Sequence, residues 1–303
     1  MTTTPVTAPS LRHQLVDDGA VVPMGADGLY GRGASFMQVF DGLDRLLTAT
    51  GVQPHVERFR FPPILPAADL LRTDYLRSFP DLVGAVHSFC GDDHAHAHLL
   101  QTIDQGGRWS DELEPTDLVL LPAACYPLYP MASGVLPEQG RVFDVLGLCF
   151  RNEPSLDPAR MQSFHQREFV HLGSPERTLE FRNRWLERAL EIFDELGLEV
   201  RAEVANDPFF GRAGRMLAVG QRAAALKYEV VATVADAEHP TAITSANYHL
   251  DHLTSAFGIE APGGGPAHSA CIGFGMERIV LALFARHGTD LARWPTTVAG
   301  MLT

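Results

Sequence analysis

Residues Val145 to Gly173 read VLGLCFRNEPSLDPARMQSFHQREFVHLG, and the fold is decided there. Both ends have strand character, and the Pro-rich middle, Pro154 to Ser163, is a loop joining them. Successive side chains on a strand face opposite ways. Cys149, Arg151 and Glu153 are therefore expected on one face of the first strand, and Phe164, Gln166, Glu168 and Val170 on one face of the second. Phe164 and Glu168 would stand about 13 Å apart at roughly 3.3 Å per residue. That span suits a ligand with an aromatic base at one end and an amine at the other, the shape of an aminoacyl-adenylate.

Outward from this hairpin, Ser35 to Thr50 spaces Phe36, Val39, Phe40, Leu43, Leu46 and Leu47 as a helix, with Gly51 at its end. His55 to Phe61 alternates as a strand and runs into Pro62-Pro63. Glu176 to Leu196 is the clearest helix: Ser174 caps it, Pro175 opens it, and Gly197 follows it. Further strands are expected at Leu118 to Leu121, Lys227 to Val234 and Ala267 to Gly273. Strands clustered around few helices, without strict alternation, imply an α+β fold with helices on one side of an antiparallel sheet. Met1 to Ser10 is Thr/Pro-rich, with neither a basic stretch nor an apolar block, so a secretory signal is excluded and a flexible tail over residues 1–20 is expected.

The 303 residues are 46% hydrophobic and 20% charged, enough for one large core, and no apolar run reaches membrane-spanning length. A cytoplasmic location is expected. Four widely spaced cysteines, Cys90, Cys125, Cys149 and Cys271, argue against a disulfide framework. With 24 basic and 37 acidic residues the formal charge is −13, which disfavours a large nucleic-acid footprint.

Phe150-Arg151-Asn152-Glu153, a loop and a returning strand led by Phe164 resemble motif 2 of class II aminoacyl-tRNA synthetases. Gly273-Phe274-Gly275-Met276-Glu277-Arg278 before an apolar helix resembles motif 3. The Ser35–Thr50 helix, the next strand and Pro62-Pro63 are similar to the degenerate motif 1. Lys227-Tyr228-Glu229 and Thr244-Ser245-Ala246-Asn247-Tyr248 fall between motifs 2 and 3, in the order of seryl-type enzymes. The resemblance implies a class II synthetase-like antiparallel sheet flanked by helices, filling residues 21–303. It implies ATP binding by Arg151, Glu153, Arg160, Met161, Phe164, Lys227, Ala242, Ile243, Thr244, Ser245 and Arg278, with Arg151 and Arg278 as the catalytic pair. In those roles Arg151 bridges the α-phosphate and the attacking carboxylate, Phe164 stacks under adenine, and Arg278 holds the γ-phosphate. Magnesium is expected with ATP. Thr241-Ala242-Ile243 stands where many class II enzymes have an acidic metal-binding residue, which leaves Glu229 or Glu238 for that ion.

Atypical zinc-dependent seryl-tRNA synthetases and their relatives, the amino acid:[carrier protein] ligases, bind zinc through a Cys, Glu, Cys set. The resemblance places it here on Cys125, Glu168 and Cys271, one zinc per chain. Three ligands leave one tetrahedral position open for a substrate α-amine, so Glu168 and Asn247 are also substrate-binding candidates. Cys90 and Cys149 are expected in the core. His94, His96 and His98 could bind metal as a helix face, but Asp92-Asp93 reads more simply as the cap of a helix with solvated histidines. Gly263-Gly264-Gly265 is a loop without the lysine of a phosphate cradle.

The chain resembles the carrier-protein ligases most, with no tRNA-binding domain expected and tRNA an unexpected partner. The activity so implied is ATP-dependent activation of a small amino acid, glycine before alanine, and transfer to the phosphopantetheine thiol of a carrier protein. The alternative is a truncated synthetase paralogue that charges tRNA or a protein lysine. A homodimer paired through motif 1 is expected, no membrane is involved, and Arg182, Arg184 and Arg188 are either a carrier-docking strip or an ordinary solvated face.

Overall fold

The computed structural model describes residues 10–207, 210, 218–222, 224–235 and 238–302. Its centre is a seven-stranded sheet. In chain order the strands are β1 (Val56–Phe59), β2 (Arg141–Phe150), β3 (Ser163–Gly173), β4 (Val200–Val204), β5 (Lys227–Ala232), β6 (Thr241–Leu250) and β7 (His268–Gly275). Across the sheet they run β4-β5-β6-β7-β3-β2-β1. Every neighbouring pair is antiparallel except β1 with β2, which are parallel. The expected α+β class and antiparallel sheet are thus present, with one parallel edge.

Alternation divides the sheet into two working faces. One face presents Phe169, Ile272 and Phe274 to three helices: α1 (Ala34–Thr50), α2 (Pro175–Glu195) and α3 (Met276–His287). Phe169 stacks on Trp185 of α2 at 4.1 Å between ring centres. As the sequence indicates, Ser174 caps α2 by accepting from the Arg177 N–H at 3.4 Å, and Gly197 takes the left-handed conformation that ends it. The other face carries Phe143, Val145 and Val170, covered by short helices at Leu128–Met131 and His252–Phe257.

Arg167 is wholly buried on the helix face. Its guanidinium reaches Asp144 of β2 at 2.6 Å and also pairs with Asp44 of α1. Asp144 in turn accepts from Arg58 of β1 at 2.9 Å. The pairing satisfies charges that would be costly to bury alone, and it fixes α1 and the edge strand against the central hairpin.

Residues 62–121 add a lobe that sequence patterning reveals only at its last strand and at the helix capped by Asp92. It is a three-stranded sheet of Ile64–Pro66, Ala85–Ser88 and Glu114–Leu120, with its own apolar cluster of Leu65, Leu70, Tyr75, Leu82, Val119 and Leu121. Within it, helix Asp93–Asp104 is capped by Asp92, which accepts from the Ala95 N–H at 3.0 Å. Its three histidines are exposed, as expected, and His98 pairs with Glu112 at 3.1 Å.

Four expectations are corrected. The tail does not extend to residue 20, because Leu11–Asp17 is a helix whose Leu15 enters the core with Ala20. Cys90 is exposed after the edge strand of the lobe, whereas Cys149 is buried as expected. Glu153 does not share a strand face with Cys149 and Arg151, because β2 ends at Phe150 and Asn152 N–H turns to the Leu82 carbonyl at 3.1 Å. The three arginines of α2 form no basic strip: Arg182 is buried and donates to the Ala225 carbonyl at 3.0 Å, and Arg188 is held by Glu191 and Glu195.

Arg167→Ala strands two buried carboxylates, so urea denaturation is expected to show a loss of about 3–5 kcal/mol. A loss below about 1 kcal/mol, the size of an exposed pair, would contradict this role.

Candidate active site

Strand register assembles the site. Lys227 of β5 lies opposite Asn247 of β6, which lies opposite Cys271 of β7. One row on, Glu229, Ser245, Gly273 and Glu168 follow each other across β5, β6, β7 and β3. Phe164 lies opposite Cys149 at the far end of β3. These rows floor a cavity of about 750 Å³. Gly273 leaves the floor open between Glu168 and Ser245, since a Cβ there would approach Gln166 Nε2 to 3.0 Å.

Most residues singled out from sequence line this one cavity: Arg151, Met161, Phe164, Glu168, Lys227, Ala242, Ile243, Thr244, Ser245, Asn247, Cys125, Cys271 and Arg278. Glu153 and Arg160 are not among its lining residues, and Arg160 is exposed beside Asp157 at 4.0 Å. Glu229 lines the cavity and the exposed Glu238 does not. The Arg151 guanidinium sits 5.4 Å from the Phe164 ring centre and donates Nε to the Pro122 carbonyl at 3.2 Å. Arg278, in the first turn of α3, donates to Ala159 O at 2.8 Å and Ala242 O at 3.0 Å. Two cations and the Phe164 ring thereby line one hollow.

At the other end Cys125, Glu168 and Cys271 meet, all buried. The Cys125 thiol is hydrogen-bonded to Cys271, and Glu168 accepts from the Cys125 side chain and backbone. Asn247 donates to Cys271 Sγ at 3.5 Å, and His249 Nε2 stands 3.9 Å from the same sulfur. Glu168 Oε2 is buried without a partner. Among the described residues no three His, Cys, Asp or Glu side chains already stand in metal-holding geometry. Two sulfurs, a carboxylate with an orphaned oxygen and a buried setting nonetheless match the donor chemistry of zinc.

No protein-family model matches the chain. It is 44% identical to amino acid–[acyl-carrier-protein] ligase 2 of Bradyrhizobium diazoefficiens over 99% of this chain and 89% of that protein. Ligase 1 of the same organism is 43% identical, over 98% and 92%. This chain belongs to the amino acid–[acyl-carrier-protein] ligase family. Its fold is that of a class II synthetase: the SerRS of M. kandleri, solved in complex with A. aeolicus tRNASec, superposes with a TM-score of 0.82 at 22% identity. The ligase chain spans 62% of that protein, while 99% of the ligase chain is covered.

Electrostatics distinguish the two ends of the ligase cavity. Burial pushes the Glu168 carboxyl up to about 8. The hydrogen bond from Cys125 pulls Cys271 well below the usual thiol range, and the same bond with burial pushes Cys125 up. Lys227 keeps its proton despite burial, because Asp207 at 2.6 Å and Glu229 at 2.9 Å more than offset desolvation. Sequence reasoning passed over His249, Asp207, Tyr75 and Tyr126, all of which line the cavity. His249 had a signal, being two residues beyond Asn247 on the same strand face. Asp207 and Tyr126 lie in irregular chain, and Tyr75 opens a single turn of helix, where no periodicity points inward.

Glu168 gives the metal-free ligase a distinctive pH response. Between the ordinary carboxyl value of 4.5 and about 8 the folded state holds a proton that the unfolded chain has released. Stability contributed by that proton is present at low pH and lost as pH rises through this window. Urea midpoints of chelator-treated protein should fall from pH 5 to 8 more steeply in the wild type than in Glu168→Gln; equal slopes would contradict the assignment.

Proposed function

We propose that this ligase activates a small amino acid, glycine first and alanine second, as its adenylate and passes it to the phosphopantetheine thiol of a carrier protein. One observation carries the proposal: two arginines, a stacking ring and a Cys–Glu–Cys trio share a single cavity of nucleotide size. Two relatives, both named as amino acid–[acyl-carrier-protein] ligases, support the carrier as acceptor.

In this mechanism Phe164 supports the adenine, and Arg151 draws together the α-phosphate and the amino-acid carboxylate, anions that otherwise repel. A carboxylate oxygen attacks the α-phosphorus in line. The bond to the β-phosphate oxygen breaks, and pyrophosphate leaves with the bonding pair, its charge met by Arg278; magnesium, which Glu229 would hold, would supply further charge neutralisation. Met161, Ala242, Ile243, Thr244 and Ser245 close around the nucleotide, Arg160 and Glu153 reach it from the rim, and Lys227 with Glu229 sets the local charge. Cys125, Glu168 and Cys271 would hold zinc, which would supply Lewis-acid recognition of the α-amine. Asn247, bonded to Cys271 and Ser245, orients that end of the substrate. The pantetheine thiolate then attacks the carbonyl carbon, the carbon–oxygen bond to phosphate breaks, and AMP departs.

The acidic balance of −13 favours this acceptor over tRNA, whose backbone it repels. Among the described residues no helix is long and apolar enough to cross a membrane. We place the reaction in the cytoplasm, where ATP is plentiful, and expect a homodimer paired around α1 and β1, checked by sedimentation.

Amino-acid-dependent pyrophosphate exchange should be strongest with glycine, and labelled glycine should appear on holo-carrier and not on tRNA. Label on tRNA alone would overturn the acceptor. Cys271→Ser should purify without stoichiometric zinc and lose exchange; full zinc content with normal exchange would overturn the ligand set.

A further inference from the structure

Buried polar atoms without a partner are rare in folded chains, because each costs the desolvation of a group that water would have satisfied. Three such atoms line the active cavity: Glu168 Oε2, Thr244 Oγ1 and the Tyr75 hydroxyl. The first belongs to the proposed metal set and the second to the nucleotide wall. Tyr75 has no place in either. It comes from the added lobe, outside the three motifs, and is only 4% exposed.

Its placement is held firmly. The ring packs in the lobe's apolar cluster, 5.0 Å from Phe79 and edge-on to Tyr126 at 5.8 Å between centres. The chain reaches it through Asp74, a non-glycine residue in the left-handed region at φ 56°. Just before, the Thr73 hydroxyl donates to Leu70 O at 2.7 Å and accepts from the Tyr75 N–H at 3.3 Å. A strained, over-determined turn that delivers a hydroxyl to a cavity and leaves it unsatisfied is what a ligand contact requires. Arg151, Glu153, Asp81 and Cys149 lie in its electrostatic surroundings, and burial pushes the phenol up to about 12, so the group is a neutral donor at working pH. Tyr126, its edge-on neighbour, directly follows Cys125. The hydroxyl therefore shares one cavity with Arg151 and with the thiol end.

We propose that Tyr75 is a substrate-binding residue whose hydroxyl donates a hydrogen bond to the carboxylate of the amino acid, beside Arg151, and keeps that bond to the acyl oxygen of the adenylate. The assignment rests on the adenylate-forming function proposed above. No covalent step is added; the hydroxyl orients the nucleophile and completes the shell around the mixed anhydride.

Tyr75→Phe keeps the ring and its packing and removes only the oxygen. Losing one hydrogen bond to a charged group should lower kcat/KM for glycine in pyrophosphate exchange by about tenfold or more, with KM for ATP little changed. Removing an orphaned hydroxyl should leave the melting midpoint of the ligand-free variant equal to or above that of wild type. The midpoint rise produced by a glycyl-sulfamoyl-adenosine analogue should shrink in the variant. Opposite signs for free stability and ligand response are the signature, since a merely structural tyrosine would lose stability and keep its affinity for the analogue. Unchanged exchange with an unchanged analogue response would overturn the proposal, as would a variant that is less stable with full affinity. Wild-type protein without any exchange would instead count against the underlying function, which separates the two failures.

Discussion

Arg167 and Glu168 are consecutive on one strand, so the pleat sends them to opposite faces of the sheet, and both are buried. Burying a charged side chain is tolerated only when its charge is matched or given up. On the helix face Arg167 is matched, by Asp144 and Asp44. On the cavity face Glu168 is not: one oxygen has no partner, and the carboxyl retains its proton to about pH 8. The same backbone thus fixes a charge-paired network that holds the fold and, on the other face, a carboxyl without a countercharge that invites a ligand.

The remaining geometry follows from that register. Because Glu168 pairs with Gly273 and Cys271 with Asn247 and Val170, adjacent strands supply two of the three thiol-end residues, and Cys125 joins them from the turn before Leu128–Met131. The arginines arrive differently, Arg151 just past the end of β2 and Arg278 in the first turn of α3, and backbone carbonyls hold both. A rigid floor with partly anchored cations is suited to reactions in which charge shifts along a phosphate, since little reorganisation is needed when the charge moves. The lobe at 62–121 closes the hollow from above with Tyr75 and Phe79, and Tyr126 follows at its base.

Legibility in the sequence tracked regularity of the backbone. Phe164 and Glu168 could be placed on one face because β3 alternates over its whole length, and α2 announced itself by its cap, its stripe and Gly197. Glu153 could not be placed, since the pleat that would have set its direction stops at Phe150. Arg182 was misread although its helical spacing from Thr178, Trp185 and Ala189 puts it on the buried stripe; a charged type outweighed a positional signal. The lobe was largely invisible because its strands are three to seven residues long and their pairing is set by contacts between distant segments. Tyr75 and Asp207 stayed hidden for the same reason, as side chains aimed by irregular backbone.

The central claim is that one cavity holds the whole aminoacyl-adenylate, with its base at Phe164 and its amine at the Cys125–Glu168–Cys271 end. Diffraction from zinc-loaded crystals soaked with glycyl-sulfamoyl-adenosine, recorded at the zinc absorption edge, tests it most directly. The account predicts an anomalous peak among those three residues, with the analogue stretched from it to Phe164 between Arg151 and Arg278. Analogue density in another part of the molecule, or a zinc peak away from the three, would contradict it.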